Sequence, residues 1–226
     1  MDYGQFCPVA KAAEVLGEKW TILILRELLY GTARFNEFQR AIHGISPTML
    51  NKRLKELEAH GLVTKTDHEY HLTDAGEDLG PLVRQYAIWG MRWARGELSE
   101  TELDVELLMW DIRRRVKPEF LPESGCLIQF QFNELDDKAD WWLIVADGEV
   151  ALESKSPGEE PDLLIQGDLR ALIRLWMGDI TLHSALTRRQ LTLRGRPLLI
   201  RAIEQWLPLA RYANVRPTDP AVAGSR

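Results

Sequence analysis

The side chains best suited to chemistry lie on one short segment, residues 46–62. Ser46 can cap a helix, and Pro47 fits its first turn because the missing N–H has no partner there. Leucines at i, i+4 and i+7 mark the buried face of this helix: Leu50, Leu54 and Leu57. The opposite face carries Thr48, Asn51, Lys52 and Lys55, with Arg53 at its flank. Short polar and cationic side chains on a leucine-anchored helix suit the reading of a DNA major groove.

The neighbouring segments predict the elements that position this helix. Gly61 ends it, and residues 62–72 follow as two short β segments around an Asp-His turn. A short helix over residues 35–42 precedes it, and residues 43–45 supply the turn between the two helices. Helix, turn, helix and hairpin in this order predict a winged helix-turn-helix domain.

Three further helices complete the predicted first domain, and the first of them is a short helix over residues 9–16. Residues 19–29 have the β propensity of a buried strand, but eleven residues without a turn residue favour a buried helix. Thr73 caps a long helix from Asp74 to about Arg95, in which Pro81 should kink the first turns or delay the regular start. The apolar stripe of this helix comprises Leu79, Leu82, Val83, Tyr86, Trp89 and Trp93. We interpret the stripe as a dimer interface, with packing against a second domain of the same chain as the alternative.

Six motifs follow in order along residues 5–95. They are Cys-Pro at 7–8, Gly-Glu-Lys-Trp-Thr-Ile-Leu-Ile-Leu-Arg-Glu-Leu at 17–28, Arg-Phe-Asn-Glu-Phe at 34–38, Ile-Ser-Pro-Thr-Met-Leu at 45–50, Leu-Lys-Glu-Leu-Glu-Ala-His-Gly-Leu-Val at 54–63 and Tyr-His-Leu-Thr-Asp-Ala-Gly at 70–76. The series resembles the HxlR-type winged-helix transcriptional regulators. The resemblance implies a dimeric bacterial transcription factor, whose interface is formed by the N-terminal helix and the long helix after the wing.

The resemblance also directs attention to particular residues. We expect the DNA-binding surface to consist of Arg34, Ser46, Thr48, Asn51, Lys52, Arg53, Lys55 and Lys65. Of these, Thr48, Asn51 and Lys52 should face base edges or nearby phosphates, whereas Arg34, Arg53 and Lys55 should mainly touch phosphate. Redox-sensing members of the family use a cysteine at the Cys-Pro position, so Cys7 is a candidate thiol switch; a small buried packing residue is the alternative.

Charge is distributed unevenly between the two halves of this chain of 226 residues. The net charge is −6, yet residues 1–96 hold twelve Lys and Arg and twelve Asp and Glu, so the acidity belongs to residues 97–226. Phosphate attraction is local, on the scale of a Debye length of roughly 8 Å. A basic face on the first domain can therefore still bind DNA, while strong non-specific binding is not expected.

Other classes of protein find little support in the sequence. No apolar run of about 18 residues predicts a membrane span, and no signal peptide is visible. The two cysteines and five scattered histidines form no metal motif, and the chain lacks Gly-rich phosphate loops, HExxH and GxSxG. We expect a cytoplasmic protein that is not an enzyme, with no cofactor, no metal and no membrane partner.

The second half of the chain predicts an α+β domain. Strands are expected at 127–132, 141–146, 149–154, 162–166 and 190–194, and helices at 105–115, 169–176, 182–187 and 197–207. Asp147-Gly148 is a strong type I′ hairpin signal. The segments 162–168, 175–179 and 191–195 resemble the sterol carrier protein-like domain, which implies an apolar cavity between sheet and helices. The candidate lining residues are Trp141, Trp142, Leu172, Leu175, Trp176 and Leu186. For each of them the sequence favours the alternative, an ordinary core position.

These segments predict a particular domain organisation. Residues 1–96 form a winged-helix DNA-binding and dimerisation domain, 97–104 a connector, 105–212 a sterol carrier protein-like domain and 213–226 a loose tail. We expect a homodimeric regulator that binds operator DNA. The second domain either senses an apolar small molecule or only extends the dimer or recruits a partner. Alternatively, the chain is a lipid-binding carrier whose winged domain mediates protein interaction.

Overall fold

The computed structural model describes residues 2–218 and divides the chain into two compact units, Met1–Gly90 and Met91–Arg226. Each unit has its own hydrophobic core. The predicted loose tail, residues 213–226, lies outside the described residues from 219 onward. Within the described part, Ala213 is buried and Arg216 donates a hydrogen bond to Gly178 O, so a loose tail does not begin at residue 213.

The first unit is built from six helices and one hairpin among its described residues. The elements are α1 (Pro8–Leu16), α2 (Thr21–Leu29), α3 (Phe35–Ala41), α4 (Pro47–Ala59), β1 (Val63–Thr66), β2 (Glu69–Leu72), α5 (Asp74–Glu77) and α6 (Gly80–Trp89). The helix favoured for residues 19–29 begins at Thr21, and Trp20 directly before it has φ 82°. Ile24, Leu25, Phe38 and the leucines of α4 meet in the core of the unit.

The long helix predicted from Asp74 to about Arg95 is interrupted. Thr73 Oγ1 accepts a hydrogen bond from the N–H of Gly76 and begins α5, which ends at Glu77. Pro81 lies in the first turn of α6, where its missing N–H is tolerated, so the helix restarts there. A π-helical turn, Gly90–Ala94, follows α6. The expected delay of the regular start at Pro81 is confirmed, whereas an uninterrupted helix from Asp74 to about Arg95 does not form.

The second unit is an α+β domain, as the sequence predicts. Its strands are β3 (Cys126–Phe132), β4 (Asp140–Ala146), β5 (Glu149–Glu153), β6 (Leu163–Gly167) and β7 (Leu191–Gly195). Its helices are α7 (Val105–Arg115), α8 (Leu169–Trp176), α9 (Leu182–Thr187), α10 (Pro197–Arg201) and α11 (Ile203–Trp206), with short 3-10 turns at Glu100–Glu102 and Pro118–Phe120. The predicted single closing helix over 197–207 is divided at Ala202.

The sheet of the second unit has the strand order β5-β4-β3-β6-β7. Strands β3 and β6 run parallel, and the other neighbouring pairs are antiparallel. Alternate residues of β3, including Ile128 and Phe130, enter the core together with α7 and α8. Asp147 and Gly148 both have positive φ, as a type I′ turn requires. Among residues 2–218, no helix is both long and apolar enough to cross a membrane.

Candidate nucleic-acid interface

Helix α4 presents a polar face whose orientation is set by its leucines. Leu50, Leu54 and Leu57 are at most 2% exposed, so they fix which side of the helix faces outward. The hydroxyl of Ser46 accepts the N–H of Met49 at 3.2 Å and defines the first turn. The side chains exposed on the outward face are Thr48, Asn51, Lys52 and Lys55. Helix α4 therefore holds short polar groups at its N-terminal half, followed by two cations.

The helix is held at both ends by the turns around it. Gly44 has φ 78° in the turn before α4, where a side chain would be strained. At the other end Gly61 has φ 67°, and Leu62 donates its N–H to Leu57 O at 3.0 Å. Because both ends are defined by glycine conformations and the middle by buried leucines, α4 is a rigid platform for its outward side chains.

Arg53 requires a correction, because it does not belong to the outward face. It is 6% exposed. Its Nε donates to Lys19 O at 3.1 Å, its Nη2 to Glu18 Oε2 at 2.7 Å and its Nη1 to Glu56 Oε2 at 2.5 Å. The guanidinium is thus used inside the unit, and the predicted phosphate contact from Arg53 is wrong.

The remaining two candidate cations lie at the hairpin β1–β2, which we call the wing. Arg34 pairs with Glu69 at 2.9 Å, and an isolated β-bridge joins the same two residues. Tyr70 donates its N–H to Ala33 O at 2.9 Å, so the wing is attached to the segment before α3. Lys65 lies over the ring of Tyr70 at 4.9 Å and remains exposed. Both cations are accessible, but Arg34 has a carboxylate partner.

The apolar stripe of α6 divides into an outward and an inward part. Leu82, Tyr86 and Trp89 are 49%, 64% and 59% exposed, and Trp93 in the following π-helical turn is 53% exposed. Val83 is only 5% exposed and packs in the core of the first unit, so its prediction as an interface residue is corrected. Leu79 packs partly against the same core.

Helix α1 and the segment before it carry exposed apolar groups that the sequence interpretation did not single out. Phe6 is 99% exposed and Val9 76% exposed, and α1 has no buried residue. The signal in the sequence was an apolar residue on either side of Cys7-Pro8: Phe6 before α1 and Val9 in its first turn.

The two cysteines lie in different environments. Burial raises the pKa of the Cys126 thiol to about 11, with the carboxylate of Asp162 adding to the effect, so this thiol stays protonated at neutral pH. Cys7 is half-buried at the start of α1. Lys11, the nearest cation along the helix, has its ammonium bound to both carboxylate oxygens of Glu14 at 3.0 and 2.9 Å.

A second candidate site is an apolar cavity of about 350 Å³ in the second unit. Leu172, Leu175 and Trp176 of α8 line it, as do the residues that follow α8 and the segment from Ile203 onward. Glu204, Thr181 and Arg216 add the polar groups of the lining. The cavity therefore offers an apolar interior with a few polar groups.

The other three predicted cavity residues lie outside this lining. Trp141 is buried in the core and donates its indole N–H to Lys138 O at 2.9 Å. Trp142 is 7% exposed and points to the opposite face of the sheet, because neighbouring residues of a strand alternate. Leu186 packs partly buried against the core. Sequence periodicity located the α8 contribution, whereas the segment 203–216 that closes the cavity carried no recognisable signal.

Two family models match separate parts of the chain. The HxlR-like helix-turn-helix model matches residues 15–97. The model of the SCP-2 sterol transfer family matches residues 115–208. Both resemblances drawn from the motifs are confirmed, as is the predicted fold class.

The chain is also similar to individual proteins. The HTH-type transcriptional regulator YvaP of Bacillus subtilis (strain 168) is 37% identical over 101 residues, which are 41% of this chain and 94% of YvaP. The HTH-type transcriptional regulator sll1512 of Synechocystis sp. is 33% identical over 107 residues, covering 44% of this chain and 79% of the relative. The solved structure of quinone-bound YodB from B. subtilis is 36% identical, with a TM-score of 0.35, and the match covers 37% of this chain and 97% of that chain.

Proposed function

The chain belongs to the HxlR-like helix-turn-helix family, and we propose that it is a transcriptional regulator that reads double-stranded DNA with α4. The observation that carries this proposal is the exposed face of α4, where Thr48, Asn51 and Lys52 project from a helix anchored by three buried leucines. Amide, hydroxyl and ammonium groups are the donors and acceptors that recognise base edges in the major groove. The helix-turn-helix geometry lays such a helix in that groove.

Electrostatics support DNA binding through local rather than total charge. The first 96 residues are net neutral. Arg53, however, satisfies its charge internally, so the outward cations near α4 are Lys52 and Lys55, with Lys65 on the wing. Attraction to phosphate decays over roughly 8 Å at physiological salt, so these few cations act on DNA that is already close. We therefore expect weak binding to non-specific DNA. The affinity for the operator should depend mainly on contacts to the bases.

We propose further that the protein is a homodimer and that the exposed stripe Leu82, Tyr86, Trp89 and Trp93 forms its seam. Leu82, Tyr86 and Trp89 recur at i, i+4 and i+7 on α6, and large exposed apolar patches mark interaction surfaces. Phe6 and Val9 of the N-terminal segment add apolar surface in the first unit. A two-fold dimer presents two copies of α4 to half-sites about one helical turn of DNA apart, roughly 34 Å.

We propose, finally, that the cavity of the second unit binds a compact apolar small molecule. Its volume of about 350 Å³ exceeds the roughly 150 Å³ of an apolar cavity that accepts benzene. The polar groups of Glu204, Thr181 and Arg216 would orient a ligand that carries one polar end. A ligand that binds one spacing of the DNA-reading helices better than another would shift the population of DNA-binding dimers.

Genomic selection tests the proposed function. Purified full-length protein is mixed at physiological salt with sheared genomic DNA of the organism that encodes it, and the bound fragments are sequenced. We expect a recurring motif with two-fold symmetry. A Thr48→Ala/Asn51→Ala variant serves as the control and should lose the enrichment. If wild-type protein enriches no motif but still binds an apolar fluorophore, the carrier alternative replaces the regulator.

A further inference from the structure

The rim of the apolar cavity includes the turn between α8 and α9. Gly178 and Ile180 line the cavity, and Asp179 lies between them in sequence. The N–H of Asp179 is bonded to Arg174 O at 2.8 Å, so this residue moves with the C-terminal turn of α8. On the tail side, Arg216 donates to Gly178 O at 2.8 Å. Gly178 and Ile180, which flank Asp179 in sequence, are therefore within reach of a ligand in the cavity.

Asp179 is joined to a residue far from it in sequence. Its two carboxylate oxygens accept hydrogen bonds from Nη1 and Nη2 of Arg95, in a two-pronged ion pair. The two side chains are 15% and 26% exposed, so the pair is partly shielded from solvent. Such a fork-to-fork pair depends closely on geometry, because both hydrogen bonds must be aligned at once. A shift of the turn would have to lengthen or break at least one of these two hydrogen bonds.

Arg95 follows the π-helical turn and directly precedes the acidic connector, which in the structure comprises residues 96–104 and ends where α7 begins. A second arginine, Arg170 on α8, binds the same connector by donating to Leu98 O and to Glu100 Oε1. Leu98 and Leu103 also pack against the core of the second unit. The connector is thus fastened at two points, and both partners belong to α8 or to the turn directly after it.

We propose that the Arg95–Asp179 ion pair couples occupancy of the cavity to the order of the connector, residues 96–104, and through it to DNA binding. This inference rests on the proposed function and names the regulation of that site. The connector directly follows, in sequence, the helical segment that carries the exposed aromatic stripe. Coupling of this kind is reciprocal, so DNA must change ligand affinity by the same factor by which ligand changes DNA affinity.

The test uses full-length protein and N-phenyl-1-naphthylamine, a neutral apolar fluorophore that brightens in apolar surroundings. Probe affinity is titrated with and without a DNA fragment recovered by genomic selection. In wild type we expect DNA to change probe affinity about 5-fold or more. Asp179→Asn keeps the size of the side chain but abolishes the ion pair, and should reduce the change to less than about 2-fold. Its probe affinity without DNA should stay at the wild-type level, because Gly178 and Ile180 rather than Asp179 line the cavity.

A matched control separates this effect from a general loss of charge. Glu106→Gln removes the carboxylate of another ion pair in the second unit, the one between Glu106 and Lys138. In this variant DNA should change probe affinity by the same factor as in wild type. Hydrogen exchange followed by mass spectrometry gives a readout that needs no DNA. Probe should alter exchange of residues 96–104 in wild type and in Glu106→Gln, but not in Asp179→Asn.

The results distinguish a failure of the coupling alone from a failure of the proposed function. The coupling is wrong if DNA changes probe affinity in Asp179→Asn as much as in wild type. It is also wrong if probe leaves hydrogen exchange of the wild-type connector unchanged. In either case DNA reading by α4 stands. If wild type binds no probe, the ligand part of the proposed function and the coupling fail together. If wild type binds no DNA, the regulator proposal fails, while the exchange measurement still decides whether the ion pair links cavity and connector.

Discussion

Replacement of Arg53 by methionine should loosen the attachment of α4 within the first unit. The guanidinium joins α4 to Glu18 and to the carbonyl of Lys19, just before α2 begins. Methionine retains most of the apolar stem but none of the hydrogen bonds. The loss of one partner from a fully buried ion pair costs about 3–5 kcal/mol.

The carboxylate partners reduce this cost. The side chains of Glu18 and Glu56 are 33% and 41% exposed, so water can solvate both once the guanidinium is removed. We therefore expect the free energy of unfolding of the first unit to fall by about 2 kcal/mol. That loss corresponds to about 30-fold faster hydrogen exchange at those α4 amides that exchange through unfolding of the unit.

Hydrogen exchange of α4 peptides, compared with Lys55→Met as the control, measures this effect. Lys55 lies on the same helix but is exposed, so its replacement should leave exchange nearly unchanged. The slope of log affinity against log salt for DNA should also stay at the wild-type value in Arg53→Met, because Arg53 touches no phosphate. Equal exchange in the two variants, or a slope reduced by about one in Arg53→Met, would refute this reasoning.

Three further outcomes follow from the same structure. Tyr86→Asp with Trp89→Asp should give monomers in sedimentation and abolish tight DNA binding. Arg84→Asp, which is exposed on the opposite side of the same helix, should remain dimeric. An intact dimer in the double variant would contradict the seam. Lys55→Ala should lower the salt slope of DNA binding by about one and keep sequence preference; an unchanged slope would remove Lys55 from the phosphate contacts. Diamide should leave DNA binding unchanged both in wild type and in Cys7→Ser. A reactive thiol needs a nearby cation, and the ammonium of Lys11 is paired with Glu14. A loss of wild-type binding that Cys7→Ser prevents would establish a thiol switch.

The local elements of this chain were readily predicted because their signals are local. Ser46, Pro47 and the leucine spacing define α4, and Asp147-Gly148 defines the β4–β5 hairpin. Each depends on residues a few positions apart, so capping, turn conformation and periodicity suffice. The positions of α7, α8 and α9 follow from the same rules.

The errors concern residues whose environment is set by distant parts of the chain. Helical periodicity places Arg53 between the buried and the outward face of α4. Its partners Glu18 and Lys19 precede it by more than 30 residues, so periodicity cannot show that it is buried. Val83 adjoins Leu82 on a helix with apolar residues on two sides, so spacing alone does not say which side faces the core. The cavity likewise closes with residues 203–216, which periodicity cannot connect with α8.

Base reading by α4 is tested most directly by the Thr48→Ala/Asn51→Ala variant. Its affinity is titrated against the genomically selected fragment and against a scrambled fragment at one salt concentration, beside His60→Ala at the far end of the same helix as the control. We expect each lost base contact to remove about 1–3 kcal/mol of discrimination between the two fragments, with binding to the scrambled fragment nearly unchanged. His60→Ala should discriminate as wild type does. Full wild-type discrimination in the double variant would contradict the assignment of α4 as the reading helix.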